Sequence, residues 1–558
     1  MKDGPDASHR KQRQTQSEPD RRSGTTTRKW ATVALVAILA ATVLLRVRLL
    51  DVPLERDEGE YAYTGQLILQ GAPPYEQAYT MKLPGVHAAY ALIMAIFGQT
   101  ERGIHTGLIL INAATIVLLF LIFIRFLGPF PALVGAAAFA LLSLDRSVHG
   151  FIANAEHFVI LPAIAGILLL LHTIERPRYV VLGAASFLFG LSFLMKQHAA
   201  LFILFGGFYL LVSELKRKPL VPKIVAARCV LFAVGSALPF ALTCQILSWA
   251  GVFDKFWFWT FTYARQYSSN VPFATGFDLF KLIAAIIVKS SWAIWILSAA
   301  GLASLFADKT NRPLRMYAIT FACFSFLSVC PGLYFRKHYF LLLIPAVAMF
   351  AAIAAASLHR LISSRLSAAA ATVTVPLLVM LALANTVYTQ REYLFTIQPD
   401  VLIHITHGPS PFPESRPIAR FIRQNTSPKD TIAVLGSEPQ IPFYARRRSA
   451  TSFLYMYPLM EPNPLASKLQ REMIAQIQAA KPEIIVLVEI DESWGEGPNS
   501  DRTLPNWMHQ YTERYYYRAG VVEIVSTAET IYIWGSRALT HRPQSQHTVL
   551  VLARKTAP

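Results

Sequence analysis

An α-helical polytopic membrane protein with a C-terminal soluble α/β domain is the fold class that the sequence predicts, and three observations predict it. Of 558 residues, 54% are hydrophobic and only 15% charged, where a soluble protein carries about a quarter charged residues. The apolar residues fall in blocks of roughly 20 between residues 30 and 390, long enough to cross a hydrocarbon core of about 30 Å. After residue 390 the composition turns to that of a soluble chain, with short apolar runs between polar helical stretches.

The chain divides accordingly. Residues 1–29 are polar and basic and read as a disordered cytoplasmic tail. The stretch Trp30 to Leu45 runs into Arg46 and Arg48 without a small-residue cleavage site, so it reads as a retained signal anchor. Spans are expected at 30–50, 103–126, 130–150, 156–174, 179–195, 198–214, 224–249, 282–306, 313–331, 338–358 and 368–389. Val86 to Phe97 is too short for a crossing and reads as an interfacial helix.

That choice sets the sidedness of everything downstream. With no crossing at Val86–Phe97, twelve Lys and Arg between Arg125 and Arg365 fall in inner loops. Seven fall outside, among them Arg146, Lys196, Arg265 and Arg336. The positive-inside rule favours this arrangement: eleven spans, the N-terminus inside and the C-terminal domain outside. The same rule absorbs the net charge of +18, so nucleic acid is not an expected partner.

The soluble part, residues 391–536, alternates a helix at Ser415 to Gln424, a strand at Thr431 to Gly436, a helix at Leu465 to Ala480 and a strand at Glu483 to Glu489. Two β-rich stretches follow near 520–526 and 530–534. That is an α/β pattern. Residues 537–558 read as a loose basic tail. The four cysteines show no metal-ligand spacing.

The first outer loop carries the strongest chemical signal: Leu54-Glu-Arg-Asp-Glu-Gly-Glu-Tyr-Ala-Tyr63, then Met81-Lys-Leu-Pro-Gly85. Asp57, Glu58 and Glu60 lie just beyond a membrane helix with Arg56 among them. Partial desolvation there raises a carboxyl toward the range where it works as a general base, and Lys82 supplies a compact charge suited to phosphate. The same residues also fit an ordinary solvated loop. A second outer loop, Asn154-Ala-Glu-His157, offers Glu156, which a helix start with an acidic first turn explains equally well. Lys196-Gln-His198 and Arg336-Lys-His-Tyr339 add basic groups on the same side, where interfacial anchoring is the alternative reading.

The order of a first membrane helix, an Asp-Glu-Gly-Glu-Tyr loop, a Lys-Leu-Pro-Gly turn and a short interfacial helix resembles the GT-C glycosyltransferases. The nearest groups are the protein O-mannosyltransferases and the bacterial aminoarabinose–lipid A transferases. The resemblance runs over roughly residues 30–360 and is strongest at 55–98. It implies a GT-C-like membrane domain at 30–390 and a catalytic acidic residue at Asp57 with Glu58 beside it. Glu156 would be a second acidic residue, although the relatives have Asp there. Lys82 and Arg336 would hold the donor phosphate, Arg336 bidentately, with Lys196 and His338 in support. Arg56, Glu60 and Tyr61 complete the expected substrate-binding set.

The resemblance implies transfer of a sugar, hexosyl or pentosyl, from a polyprenyl-phosphate donor to a lipid, glycan or protein acceptor. The transfer is expected to be inverting and to occur on the periplasmic face of a bacterial inner membrane. No cofactor or metal is expected, and there is neither a Gly-rich phosphate loop nor a dinucleotide fingerprint. The alternative from another class is a transporter or lipid flippase with a periplasmic binding domain. Most spans lack the ionisable residues that charged cargo demands.

Overall fold

The computed structural model describes residues 19–555. Most of the expected N-terminal tail, residues 1–18, lies outside them. From Pro19 the chain is helical and runs into α1 (Pro19–Val47), so helix replaces the expected disorder over residues 19–29. Once the apolar span has nucleated a helix, each added residue gains a hydrogen bond without a new nucleus.

Two helices of the first loop follow, α2 (Arg56–Leu69) and α3 (Pro84–Phe97), and then α4 (Glu101–Leu127), α5 (Pro129–Leu142), α6 (Ala155–Glu175), α7 (Tyr179–Met195), α8 (Ala200–Leu215) and α9 (Pro222–Trp249). Short helices α10 (Phe253–Trp257) and α11 (Ala264–Ser268) flank a π-helical turn at Phe258–Tyr263. The bundle continues with α12 (Phe273–Ser290), α13 (Trp292–Ala307), α14 (Arg312–Leu327), α15 (Ile344–Arg365) and α16 (Ala368–Thr389). Among the described residues, seven helices are individually long and apolar enough to cross a membrane, while α5, α7 and α13 are shorter apolar helices. The chain is a multi-pass membrane protein. Small residues set the close helix contacts, as is usual in membrane bundles. A Cβ at Gly301 of α13 would collide with the Phe350 carbonyl of α15.

One expected span is not a single helix. Residues 282–306 divide between α12 and α13 at Ser291, whose backbone leaves the helical region (φ −140°, ψ 37°). Both ends of α12 rest at the same end of the bundle. Gly276 packs on Leu333, and the Ser290 hydroxyl donates to Asp145 just past α5 at 2.6 Å. So α12 lies across that end and only α13 descends. An apolar composition alone does not distinguish a helix lying along the interface from half of a span.

Beyond α16, short helices α17 (Arg391–Phe395) and α18 (Pro399–His407) lead to α19 (Ser415–Asn425) and a six-stranded sheet in the order β2-β1-β3-β6-β4-β5. β1 (Thr431–Leu435) runs parallel to β2 (Arg448–Ser449) and β3 (Ile484–Glu489). β4 (Tyr516–Ile524) and β5 (Thr530–Trp534) form an antiparallel hairpin. The expected loose tail is corrected here: β6 (Thr548–Arg554) is a central strand, antiparallel to both β3 and β4. Val549 and Val551 pack into one core and Leu550 and Leu552 into the other. A strand buried on both faces has a continuous apolar run and no alternation to mark it.

The soluble domain sits on the first loop. The Tyr444 hydroxyl accepts the Leu54 N–H at 3.0 Å, and Tyr79 bridges to Phe453. α20 (Gln440–Ala445) presses so closely on α2 that a Cβ at Gly59 would come within 2.7 Å of the Gln440 nitrogen.

Candidate active site

α2 opens with a capping box. Glu58 N–H donates to the Glu55 side chain at 3.1 Å, and Glu55 N–H donates to Glu58 at 3.4 Å. These reciprocal bonds satisfy orphan donors and fix the helix start between Glu55 and Arg56. They also decide which carboxylate is available. Successive helical residues point about 100° apart, so Asp57 and Glu58 cannot face one site.

Asp57 faces outward, 25% exposed, and lies 3.1 Å from Lys82 Nζ. Burial pushes its carboxyl up, but the charges of Lys82 and Lys196 and hydrogen bonds from Lys82 and Tyr455 outweigh that and hold it below its ordinary value. Desolvation alone therefore does not prepare this carboxylate as a base, contrary to the expectation for the loop. The carboxyl that burial does raise, to about 8, belongs to Glu55.

Lys82 is held by the turn that carries it. Its N–H donates to Thr80 Oγ1 at 3.1 Å, its carbonyl accepts from the Tyr75 hydroxyl at 2.7 Å, and Pro84 opens α3 just beyond. Its ammonium also lies 3.2 Å from the Tyr61 hydroxyl. Burial works against the charged form, yet Asp57, Tyr61 and Glu60 keep the ammonium well above its ordinary range.

The second pair comes from the bundle. Lys196, beyond the end of α7, reaches Glu156 in the first turn of α6 at 2.5 Å and stacks 4.1 Å from the Tyr339 ring. His338 Nε2 stands 4.0 Å from the same Glu156 oxygen. Burial, followed by Lys196, His149, Lys82 and Arg336, drives the His338 imidazole well below its usual range, so it is neutral. Glu156 Oε2 is buried with no hydrogen-bond partner. Arg336 lies over Tyr334 at 5.3 Å and interacts electrostatically with Asp57 and Tyr339. Asp57, Lys82, Lys196, Arg336, Glu156 and His338 thus share one electrostatic environment, and Glu60 acts on the same Lys82 charge. Three cationic side chains gathered in one place suit an anionic phosphate.

The other expected site residues have different surroundings. Glu58 is fully buried; it pairs with His105 at 3.0 Å and accepts the Ala153 N–H at 2.7 Å. It ties the loop to α4 and to the segment before α6, so its expected catalytic place is corrected to a structural one. Glu58→Ala is expected to lower stability by about 3–5 kcal/mol, because a buried partner is left uncompensated. Thermal unfolding in detergent measures this, and Asp57→Asn is expected to cost far less. Arg56 pairs with Glu438 at 3.3 Å, donates to the Ser437 carbonyl at 2.8 Å and stacks on Phe412 and Tyr457, so it docks the soluble domain. Glu60 is buried among Thr80, His87 at 2.9 Å and Tyr455 at 2.8 Å. Of the expected substrate-binding set, only Tyr61 touches the Lys82 charge.

One contributor was not anticipated. Tyr455, from the soluble domain, brings its hydroxyl to 3.2 Å from Asp57 Oδ1 and 2.8 Å from Glu60 Oε2. Burial lifts its phenol well above the ordinary range, so it remains a donor. The only trace in the sequence is the aromatic run Phe453-Leu-Tyr-Met-Tyr457 within a soluble segment. Among the described residues there is no cluster of three His, Cys, Asp or Glu side chains able to hold a metal ion.

Residues 82–242 match the family described as dolichyl-phosphate-mannose-protein mannosyltransferase. No curated protein matches the whole-chain sequence. Among solved structures, ArnT from Cupriavidus metallidurans bound to undecaprenyl phosphate is similar with a TM-score of 0.59 at 15% identity, covering 93% of this chain and 97% of that one. The apo state of the same protein gives 0.58 at 14% identity over 94% and 98%. The archaeal oligosaccharyltransferase AglB from Archaeoglobus fulgidus, in complex with an inhibitory peptide and a dolichol-phosphate, gives 0.55 at 13% identity, covering 91% of this chain and 74% of that one.

Proposed function

We propose that the chain is a GT-C glycosyltransferase that transfers a sugar from a polyprenyl phosphate to an acceptor hydroxyl with inversion at the anomeric carbon; the family match over residues 82–242 and the similarity of fold to ArnT support this reading. The observation that carries the reading is the Asp57–Lys82 pair, 3.1 Å apart, with the Arg336 and Lys196 charges around it. Undecaprenyl phosphate and dolichol-phosphate are the ligands of the similar proteins ArnT and AglB.

In this reading the acceptor oxygen attacks the anomeric carbon while its proton passes to Asp57. The bond from that carbon to the phosphate oxygen breaks, and its electron pair leaves with the polyprenyl phosphate. Lys82 and Arg336 neutralise the charge that develops on the leaving phosphate, where fixed charges stabilise a transition state most. The lipid tail keeps the donor at the membrane surface and supplies proximity.

The pairing of Lys82 with Asp57 makes the base conditional on the donor. A phosphate that takes Lys82 removes a charge holding the Asp57 carboxyl down, and burial then lifts it toward the working range. The proposed setting is a bacterial inner membrane, with the N-terminus cytoplasmic and the site and soluble domain periplasmic. The acceptor is a lipid, glycan or protein, and the sugar a hexose or pentose.

The test supplies purified full-length chain with polyprenyl-phosphate sugars of defined anomeric configuration and with envelope glycolipid or protein acceptors. Mass spectrometry is expected to find a glycosylated acceptor and free polyprenyl phosphate, with the opposite anomer by NMR. Retention of configuration, or turnover only with nucleotide sugars, would end the reading.

A further inference from the structure

A cavity of about 410 Å³ lies between α2 and the soluble domain. On one side it is lined by Tyr63 and Gln66 of α2 and by Gln70 just past its end, and on the other by Lys429, Arg446 and Arg448. Tyr63 and Gln70 stand six and thirteen residues past Asp57, roughly 9–20 Å along the helix. The cavity is therefore separate from the Asp57–Lys82 site.

Its cations divide by role. Arg447 is spent on structure: its guanidinium donates to the Thr426 hydroxyl and carbonyl at 2.9 Å and to the carbonyls of Arg423, Ala445 and Arg446. The turn it braces presents Arg446 in the left-handed region, φ 52°, a position that costs a non-glycine residue backbone energy. Arg446, Arg448 and Lys429 are exposed, and none pairs with a carboxylate among the described residues. The neighbouring acid, Asp430, is turned back to accept the Ser427 N–H at 2.6 Å. Behind them, burial first and then Arg446, Arg420 and Arg447 lower the Arg423 guanidinium. Like charges gathered around a cavity, with strain and without counter-ions, are what an anion site requires before its ligand arrives.

The surroundings identify where that anion comes from. Leu69, at the end of α2, is 40% exposed, and Leu92 and Ile96 of α3 are 63% and 64% exposed. The amide of Gln66, which lines the cavity, donates to Gln99 at the start of α4 at 2.9 Å. An apolar face beside a basic cavity, next to the end of a membrane helix, matches the boundary between acyl chains and headgroups.

We propose that this cavity binds a phosphate group presented at the membrane surface, held by Lys429, Arg446 and Arg448 and seated on Tyr63 and Gln66. The inference does not depend on the catalytic reading, because no residue is shared between the two sites.

The experiment has two arms on the purified full-length chain. Native mass spectrometry counts phosphatidylglycerol retained from nanodiscs of mixed phosphatidylcholine and phosphatidylglycerol, and calorimetry measures inorganic pyrophosphate binding in neutral detergent. The variants are K429E/R448E, which reverses two charges, and R446G, which removes one while suiting the left-handed turn. Retention or binding is expected to weaken at least about thirtyfold in the double variant and about fivefold in R446G. Loss of phosphatidylglycerol, with or without loss of pyrophosphate, supports the site, whereas loss confined to pyrophosphate would assign a free phosphate ligand and overturn the membrane source. Only the component removed by these variants counts, since Lys82 and Arg336 also attract anions. If K429E/R448E fails to fold, R446G alone decides. Wild-type protein that prefers neither anion, or variants that bind as wild type does, would overturn the proposal.

Discussion

Asp57→Asn is expected to reduce turnover by about 10²–10⁴-fold, the range over which a positioned general base contributes, while the donor KM stays level or falls. The asymmetry follows from the ion pair. Asp57 occupies Lys82 at 3.1 Å in the free protein, and asparagine releases that ammonium to the donor phosphate. The amide fills the same volume and still accepts from Tyr455, so the fold keeps its contacts, but it takes no proton. Steady-state kinetics with a polyprenyl-phosphate sugar separates the two effects. A variant that loses turnover with a sharply raised donor KM would make Asp57 a binding residue. One that transfers sugar at the wild-type rate would remove it from the reaction.

What the sequence made legible was local or enforced by the bilayer. The loop at 54–85 could be read because its carboxylates, its lysine and the proline that opens α3 lie within thirty residues of one another. Lys196 and Arg336 could be grouped because spans deliver their flanking residues to one side or the other. Orientation about a helix was not legible: Asp57 and Glu58 are chemically near-identical neighbours, and only the capping box and His105 turn one inward and leave the other open. Tyr455 was hidden for a different reason. Its contact with Asp57 spans 398 residues and depends on how a separate domain docks, through Gly59, Arg56 and Tyr444. β6 and the break at Ser291 were not legible either. A strand buried on both faces lacks the alternation that ordinarily marks it, and the expected span at 282–306 followed apolar composition, which does not separate a helix lying along the interface from half of a span.

Lys82→Met carries the second large effect, because it removes both the phosphate's counter-charge and the group that holds the base down. Removing one preorganised donor to a developing charge costs about 10²–10³-fold in turnover, and donor affinity is expected to fall with it. The pH profile gives a readout that simple loss of binding does not. In the free protein, Lys82 and Lys196 hold the Asp57 carboxyl below its ordinary value against burial, which pushes the other way. Without Lys82 the balance moves toward burial, the carboxyl rises, and a higher fraction of Asp57 is protonated at any acidic pH. The acid limb of kcat/KM, which reports the free enzyme, is therefore expected to move to higher pH in the variant. In the wild type, the acid limb of kcat should already lie above that of kcat/KM, because the bound donor has taken Lys82. Arg336→Met lacks a direct contact with Asp57 and should weaken donor binding with a smaller displacement of the limb. An acid limb that stays in place after Lys82 is removed would mean that the group titrating in it is not Asp57, and the base would have to be sought elsewhere in the cluster, first at Glu156, whose Oε2 is buried without a partner.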